Sequence, residues 1–187
     1  MATVPTHAFA GLVITDLVAG AKSTWPLRIA GAACAALPDA DVFLMRFANV
    51  AYEDPWGHRG ISHGLPFAIV VGVVVALLFF RKGPVPVWRA ALALVLATAS
   101  QGLLDAMTTG GLGVAFLAPF SYERFFLPWD PIPVAPLSIR GIFTAHGADI
   151  VVWELVHIWF PLLVLLLGVH LLRRRGRADE PAARALP

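Results

Sequence analysis

From Ile150 to Leu172 the chain runs with Glu154 as its only formally charged side chain. A helix of that length, rising about 1.5 Å per residue, crosses a hydrocarbon core about 30 Å thick. Lipid offers no partners to backbone N–H and C=O groups, so a spanning segment must bond internally. For a single aperiodic apolar run, that means a helix. Pro161 should kink it. Leu65–Phe80 is a second, valine-rich apolar run, and Val87–Asp105 reads as its helical return after the basic turn Arg81–Pro86. Charged residues make up only 14% of the chain against roughly 25% in soluble domains, which excludes an ordinary soluble enzyme.

Toward the N-terminus a short helix is expected over Ala8–Ala21, with Thr6 as its cap. Trp25-Pro26 opens a second short helix that stops before Pro38. Both are rich in Ala and Gly, which lets backbones approach closely in lipid. The N-terminus has no basic stretch and Asp16 interrupts its apolar run, so a cleaved signal peptide is not expected. Residues 38–64 read as loop, and residues 108–148, broken by Pro and Gly, as an interfacial lid with Phe125, Phe126 and Trp129 at headgroup depth. The expectation is an all-α polytopic membrane bundle of about five helices, two of them short and N-terminal. Residues 1–172 form one membrane domain, followed by a basic, then disordered, cytoplasmic tail at 173–187. No internal repeat is visible. Cys34, the single cysteine, excludes both an internal disulfide and a cysteine metal cage.

Basic residues set the orientation. Lys22, Arg28, Arg81, Lys82, Arg89, Arg173, Arg174, Arg175, Arg177 and Arg184 fall in the two turns and the tail, leaving Arg46, Arg59, Arg124 and Arg140 for the other face. The positive-inside rule makes the first group cytoplasmic, where anionic lipid accounts for it without nucleic acid. His7, Asp39, Asp41, His58, His63 and Asp105 then all lie on the extracytoplasmic face, although none of them entered the assignment.

Those six residues are imidazoles and carboxylates, the ligands expected of zinc, manganese or iron. Singly each is weak, since a lone interfacial His is usually a packing residue; their gathering on one face points to a shared site for one or two divalent ions, zinc first. Ser62 is expected to cap the helix that His63 begins. The glycines after Met107 allow close backbone approach to a ligand, and Arg59 can clamp an anion such as phosphate. Asp16 should bond a neighbouring helix. Glu154 and His157 share a face and read as a structural pair; His146 and Asp149 lie near the same end. His170, next to Arg173, reads as interfacial.

Thr6-His7, Pro38-Asp39-x-Asp41, His58-Arg59-Gly60-x-Ser62-His63, Leu103-Leu104-Asp105-x-x-Thr108-x-Gly110 and Ala118-Pro119-Phe120-Ser121 follow in order along the chain. In that order they resemble the bacterial inner-membrane metal-dependent hydrolases, a family that includes LexA-regulated members, and more distantly zinc-dependent phospholipase C. The resemblance implies a polytopic protein with a His/Asp metal centre. It also carries a departure: the family has His four residues before the matching Asp, where this chain has Gln101. The function expected is metal-dependent hydrolysis of a phosphoester or phospholipid-like substrate at the outer surface of the inner membrane. In it the six residues bind metal, Arg59, Asp41 and Asp105 take part in catalysis, and membrane lipid is the partner. The rivals are a metal-binding transporter or sensor, for which Asp16, Glu154 and His157 would form a polar path, and a degenerate scaffold, which Gln101 keeps open.

Overall fold

Pro5, Pro26 and Pro66 each stand in the first turn of a helix, where a missing N–H leaves no bond unmade. In the computed structural model, which describes residues 1–183 and their side chains except those of Ile139 and 176–183, α1 spans Val4–Ala19 and α2 spans Trp25–Ala36. A 3-10 turn at Leu37–Ala40 runs into α3, Asp41–Ala48. After a loop and a second 3-10 turn at Ile61–His63 come α4 (Leu65–Phe79) and α5 (Val87–Ala106). The last helical stretch comprises α6 (Ile139–Ile142), α7 (Ala145–Glu154), a π-helical segment at Leu155–Trp159 and α8 (Phe160–Ala183).

The all-helical membrane architecture is borne out: among the described residues no strand forms, only the isolated bridges Thr108–Ile132 and Val114–Phe125. Three helical stretches are long and apolar enough to cross a membrane, Val4–Lys22, Val87–Ala106 and Ala145–Arg175; Leu65–Phe79 is apolar but shorter. Several boundaries differ from expectation. The first helix starts at Val4, so His7 lies inside it, and Thr6 is no cap because its hydroxyl bonds Glu154. Part of the expected loop after Pro38 is α3, ended by Asn49 in the left-handed region at φ 53°. The helix expected to stop at Leu172 continues to Ala183, and residues 184–187 lie outside the described part. Where a kink was expected at Pro161, the ladder widens into the π segment just before it; a proline cannot return a bond to the carbonyl one turn back, and the neighbouring carbonyls shift register.

Small residues set the packing. A Cβ on Gly11 of α1 would collide with Ala35 and come within 2.6 Å of the Gly31 carbonyl on α2. Gly31 in turn lies against Thr15, so the two helices touch backbone to backbone. On α5, Gly102 faces the His63 carbonyl, which an added Cβ would approach to 2.7 Å. That gap lets the 58–64 loop lie flat on α5 and sets the height of His63. The outward faces of α4 and α8, including Val70, Leu78, Phe79, Leu167 and Leu172, are exposed and apolar, as lipid contact requires.

Candidate metal centre

Four chain segments meet at one end of the bundle. The first turn of α1 brings His7, the 3-10 turn after α2 brings Asp39, the loop before α4 brings His58 and His63, and the last turn of α5 brings Asp105. All five side chains are buried. One ligand atom each from Asp39, His58, His63 and Asp105 lies within 4.8 Å of the others, the arrangement a single cation needs. His7 Nε2 stands at the margin, 3.2 Å from Asp105 Oδ1 and 4.0 Å from Asp39 Oδ2.

Asp41 lies one layer out. Its Oδ1 accepts from His58 Nδ1 at 2.9 Å, and its Oδ2 is 3.2 Å from His63 Nδ1 and accepts from Ser62 Oγ at 2.8 Å. A carboxylate only accepts, so His58 carries its proton on Nδ1 and its Nε2 lone pair faces the cluster. Ser62 has given its one proton to Asp41 and therefore receives from His63 Nδ1 at 2.9 Å, which leaves His63 Nε2 turned toward the cluster. One carboxylate thus fixes two imidazoles, as supporting carboxylates commonly do around metals. This corrects two expectations: Ser62 caps no helix, and α4 begins at Leu65 behind Gly64.

Arg59 is buried, with its backbone in the left-handed region at φ 64°, an arrangement that costs roughly 1–3 kcal/mol and needs support. Nε donates to Asp105 Oδ2 at 3.2 Å, one terminal nitrogen to the Gly110 carbonyl at 2.8 Å and the other to Thr108 Oγ1 at 2.7 Å. Gly111, at φ 97°, leaves room where a Cβ would come within 2.6 Å of the guanidinium. Arg59 therefore holds Asp105 from behind. Three of its five N–H donors are thus engaged inside the protein, and the backbone after Met107 lies against Arg59.

Three carboxylates, Asp39, Asp41 and Asp105, gather here beside the Arg59 guanidinium, a concentration of negative charge that low dielectric makes costly unless protons or cations answer it. Burial disfavours the imidazolium of His63, yet hydrogen bonds to Asp39 and Asp41 outweigh it and push the group up to about 9. Burial likewise opposes charge on Asp41, and the bonds from His58 and His63 outweigh that too, holding its carboxyl well below the usual range. Gln101 Nε2 donates to Asp39 Oδ1 at 2.7 Å and lies 3.1 Å from His63 Nε2, so its amide protons do part of a cation's work.

Several expected neighbours are elsewhere. Glu154 does not pair with His157. It accepts from Thr3 N at 2.7 Å, from the Thr3 hydroxyl, and from Thr6 Oγ1 at 2.6 Å, tying the entry of α1 to α7. His157 is exposed, stacked on Trp153 and bonded to its carbonyl. His146 and Asp149 are exposed. Asp16 and His170 belong to the other end of α1. The threonine pair Thr3-x-x-Thr6 was the sequence signal for the Glu154 anchor. Thr108 was visible as a motif position but not as the support of Arg59.

A family model, YdjM inner membrane protein, matches residues 1–176. The chain belongs to this family. Inner membrane protein YbcI of Escherichia coli (strain K12) is 43% identical over 179 residues, covering 94% of this chain and 100% of that protein. No solved structure matches the chain. Membership in the YdjM family agrees with the apolar spans and makes this an inner-membrane protein. The hydrolase and zinc parts of the resemblance go beyond that description.

Whether a metal fits this YdjM-family cluster is answered by its unpaired atoms. Both ring nitrogens of His7, together with His58 Nε2, Asp39 Oδ2 and Gln101 Oε1, are buried and make no directed hydrogen bond. Such groups ordinarily find partners. His58 Nε2, Asp39 Oδ2 and Gln101 Oε1 are acceptors without donors, the set a divalent cation satisfies. The residues fit the group.

Proposed function

We propose that this protein is a membrane-embedded, metal-dependent hydrolase of phosphoesters, with phospholipid-like molecules as the substrate class and one or two divalent ions, zinc foremost, as cofactor. The observation that carries the reading is the convergence of Asp39, His58, His63 and Asp105 with acceptor atoms left unsatisfied in a buried site. Those four would hold the ion, with His7 at the margin for a second ion or a weaker bond. A divalent ion in such a set activates water and polarises a phosphoryl oxygen. Asp41 orients His58 and His63, and Arg59 holds Asp105 and offsets its charge. We assign both as positioning residues, with Asp105 at the reacting centre.

The substrate class follows from depth. His7 is in the first turn of the span Val4–Lys22 and Asp105 in the last turn of the span Val87–Ala106, which supports a site at a membrane–water boundary, where headgroup phosphoesters lie. Exposed Phe120, Trp129 and Phe143 on the segment after Asp105 suit the same depth. The extracytoplasmic orientation rests on Arg28, Arg89 and Arg173 gathering at the other end of α1. The transport reading loses support because Glu154 and Asp16 are each tied into hydrogen-bonded anchors and His157 is exposed.

The test is metal content together with turnover of purified protein against phospholipid and soluble phosphoester panels, with zinc, manganese or iron supplied. Stoichiometric metal and metal-dependent release of a phosphoester product are expected, both lost in His63→Ala. Bound metal with no turnover on any substrate would refute the hydrolase and leave a binding protein.

A further inference from the structure

A second polar group lies around the C-terminal end of α1. Asp16, buried on a spanning helix, has Arg28 of α2 at 2.6 Å, Arg173 of α8 at 3.5 Å and His170 of α8 at 3.5 Å. Two arginines also reach the last carbonyls of α1: Arg89 Nε donates to Val18 O at 2.7 Å and Arg173 to Leu17 O at 3.0 Å. Capping a helix C-terminus and pairing a buried carboxylate explain these contacts. They do not explain the surplus. Arg28, Arg89, Arg173 and Arg174 bring four positive charges against the one of Asp16, and among the described residues Arg174 makes no ion pair.

Nor does the cluster close on itself. Gly20, Ala21, Arg28, His170, Arg173 and Arg174 line a pocket of about 210 Å³ beside it. Gly20, at φ 77°, presents bare backbone to Arg89, since a Cβ there would come within 2.9 Å of it. Planar guanidinium forks from two helices facing one pocket match the oxygens of a phosphate group, to which they give paired, charge-assisted bonds. Gly20 and Arg173 both lie near the ends of candidate spans, on the side away from His7.

We infer that this pocket is an anion site for a phosphate group, either the headgroup of an anionic phospholipid or free phosphate. The experiment is thermal unfolding of the full chain in phosphatidylcholine nanodiscs alone, with phosphatidylglycerol added, and with inorganic phosphate added. Phosphatidylglycerol is expected to raise the midpoint by a few degrees through mass action. A shift with phosphatidylglycerol alone assigns a headgroup; the same shift with inorganic phosphate assigns the free anion. Arg174→Gln, which leaves the partners of Asp16 in place, should weaken the apparent affinity read from that shift on the order of tenfold. Ala21→Glu, an exposed change that sets a carboxylate at the pocket wall, should abolish it. Equal midpoints in all three conditions, or an undiminished response in both variants, would overturn the site.

Discussion

The two ends of α1 carry buried carboxylates solved in opposite ways. At the Asp16 end the charge is met by arginines from α2 and α8, and the cations exceed the anions. At the His7 end three aspartates meet one buried arginine and three imidazoles, and His58 Nε2, Asp39 Oδ2 and Gln101 Oε1 are left as unpaired acceptors. Along α1 the two are nine residues apart, about 13 Å at 1.5 Å per residue. The same helix thus runs from a structural ion pair at one end to, at the other, a carboxylate cluster whose metal-free charge balance relies on the proton of His63. Burial alone separates neither; the chemistry of the partners does.

That contrast breaks most sharply in Asp105→Ala. Removing the carboxylate strands the Arg59 guanidinium and costs roughly 3–5 kcal/mol, measurable as a fall in thermal stability, and metal binding is lost with it. Next, Asp41→Asn keeps the four converging residues but loosens His58 and His63, so metal affinity by titration calorimetry should fall about 10–100-fold, whereas Asp16→Asn should leave it unchanged. Arg28→Gln should cost about 1–3 kcal/mol of stability through the exposed-side partner of Asp16 and leave metal content intact. The smallest effect is on pH. In metal-free protein the raised value of His63 gives stability that is complete below 6.5 and lost as pH rises through about 9. Asp41, lowered, adds stability present above 3.8 that is lost only in acid. Melting of the stripped protein should therefore decline between pH 6.5 and 9, and a rise over that interval would contradict the assigned protonation.

The fold was legible where the signal is chemical and local. Apolar runs and prolines gave α2, α4 and α5 to within a residue or two. The π segment and α3 were not, because they depend on which carbonyls find partners after a proline and on how the loop meets α5. Sorting basic residues by turn was enough to bring His7, Asp39, His58, His63 and Asp105 to one side. It could not separate a metal-facing carboxylate from an orienting one. Asp39 and Asp41 look alike in sequence, and only the proton placement through Ser62 and the two imidazoles distinguishes them. The spacing of Arg59 likewise hides that Thr108 and Gly110 each take one of its donors.

Anomalous diffraction from crystals of the full chain grown with zinc addresses this cluster most directly. A peak bounded by Asp39, His58, His63 and Asp105, with the Gln101 amide turned from Asp39, is the predicted result. Ordered side chains with Gln101 still bonded to Asp39 and no peak among them would contradict it.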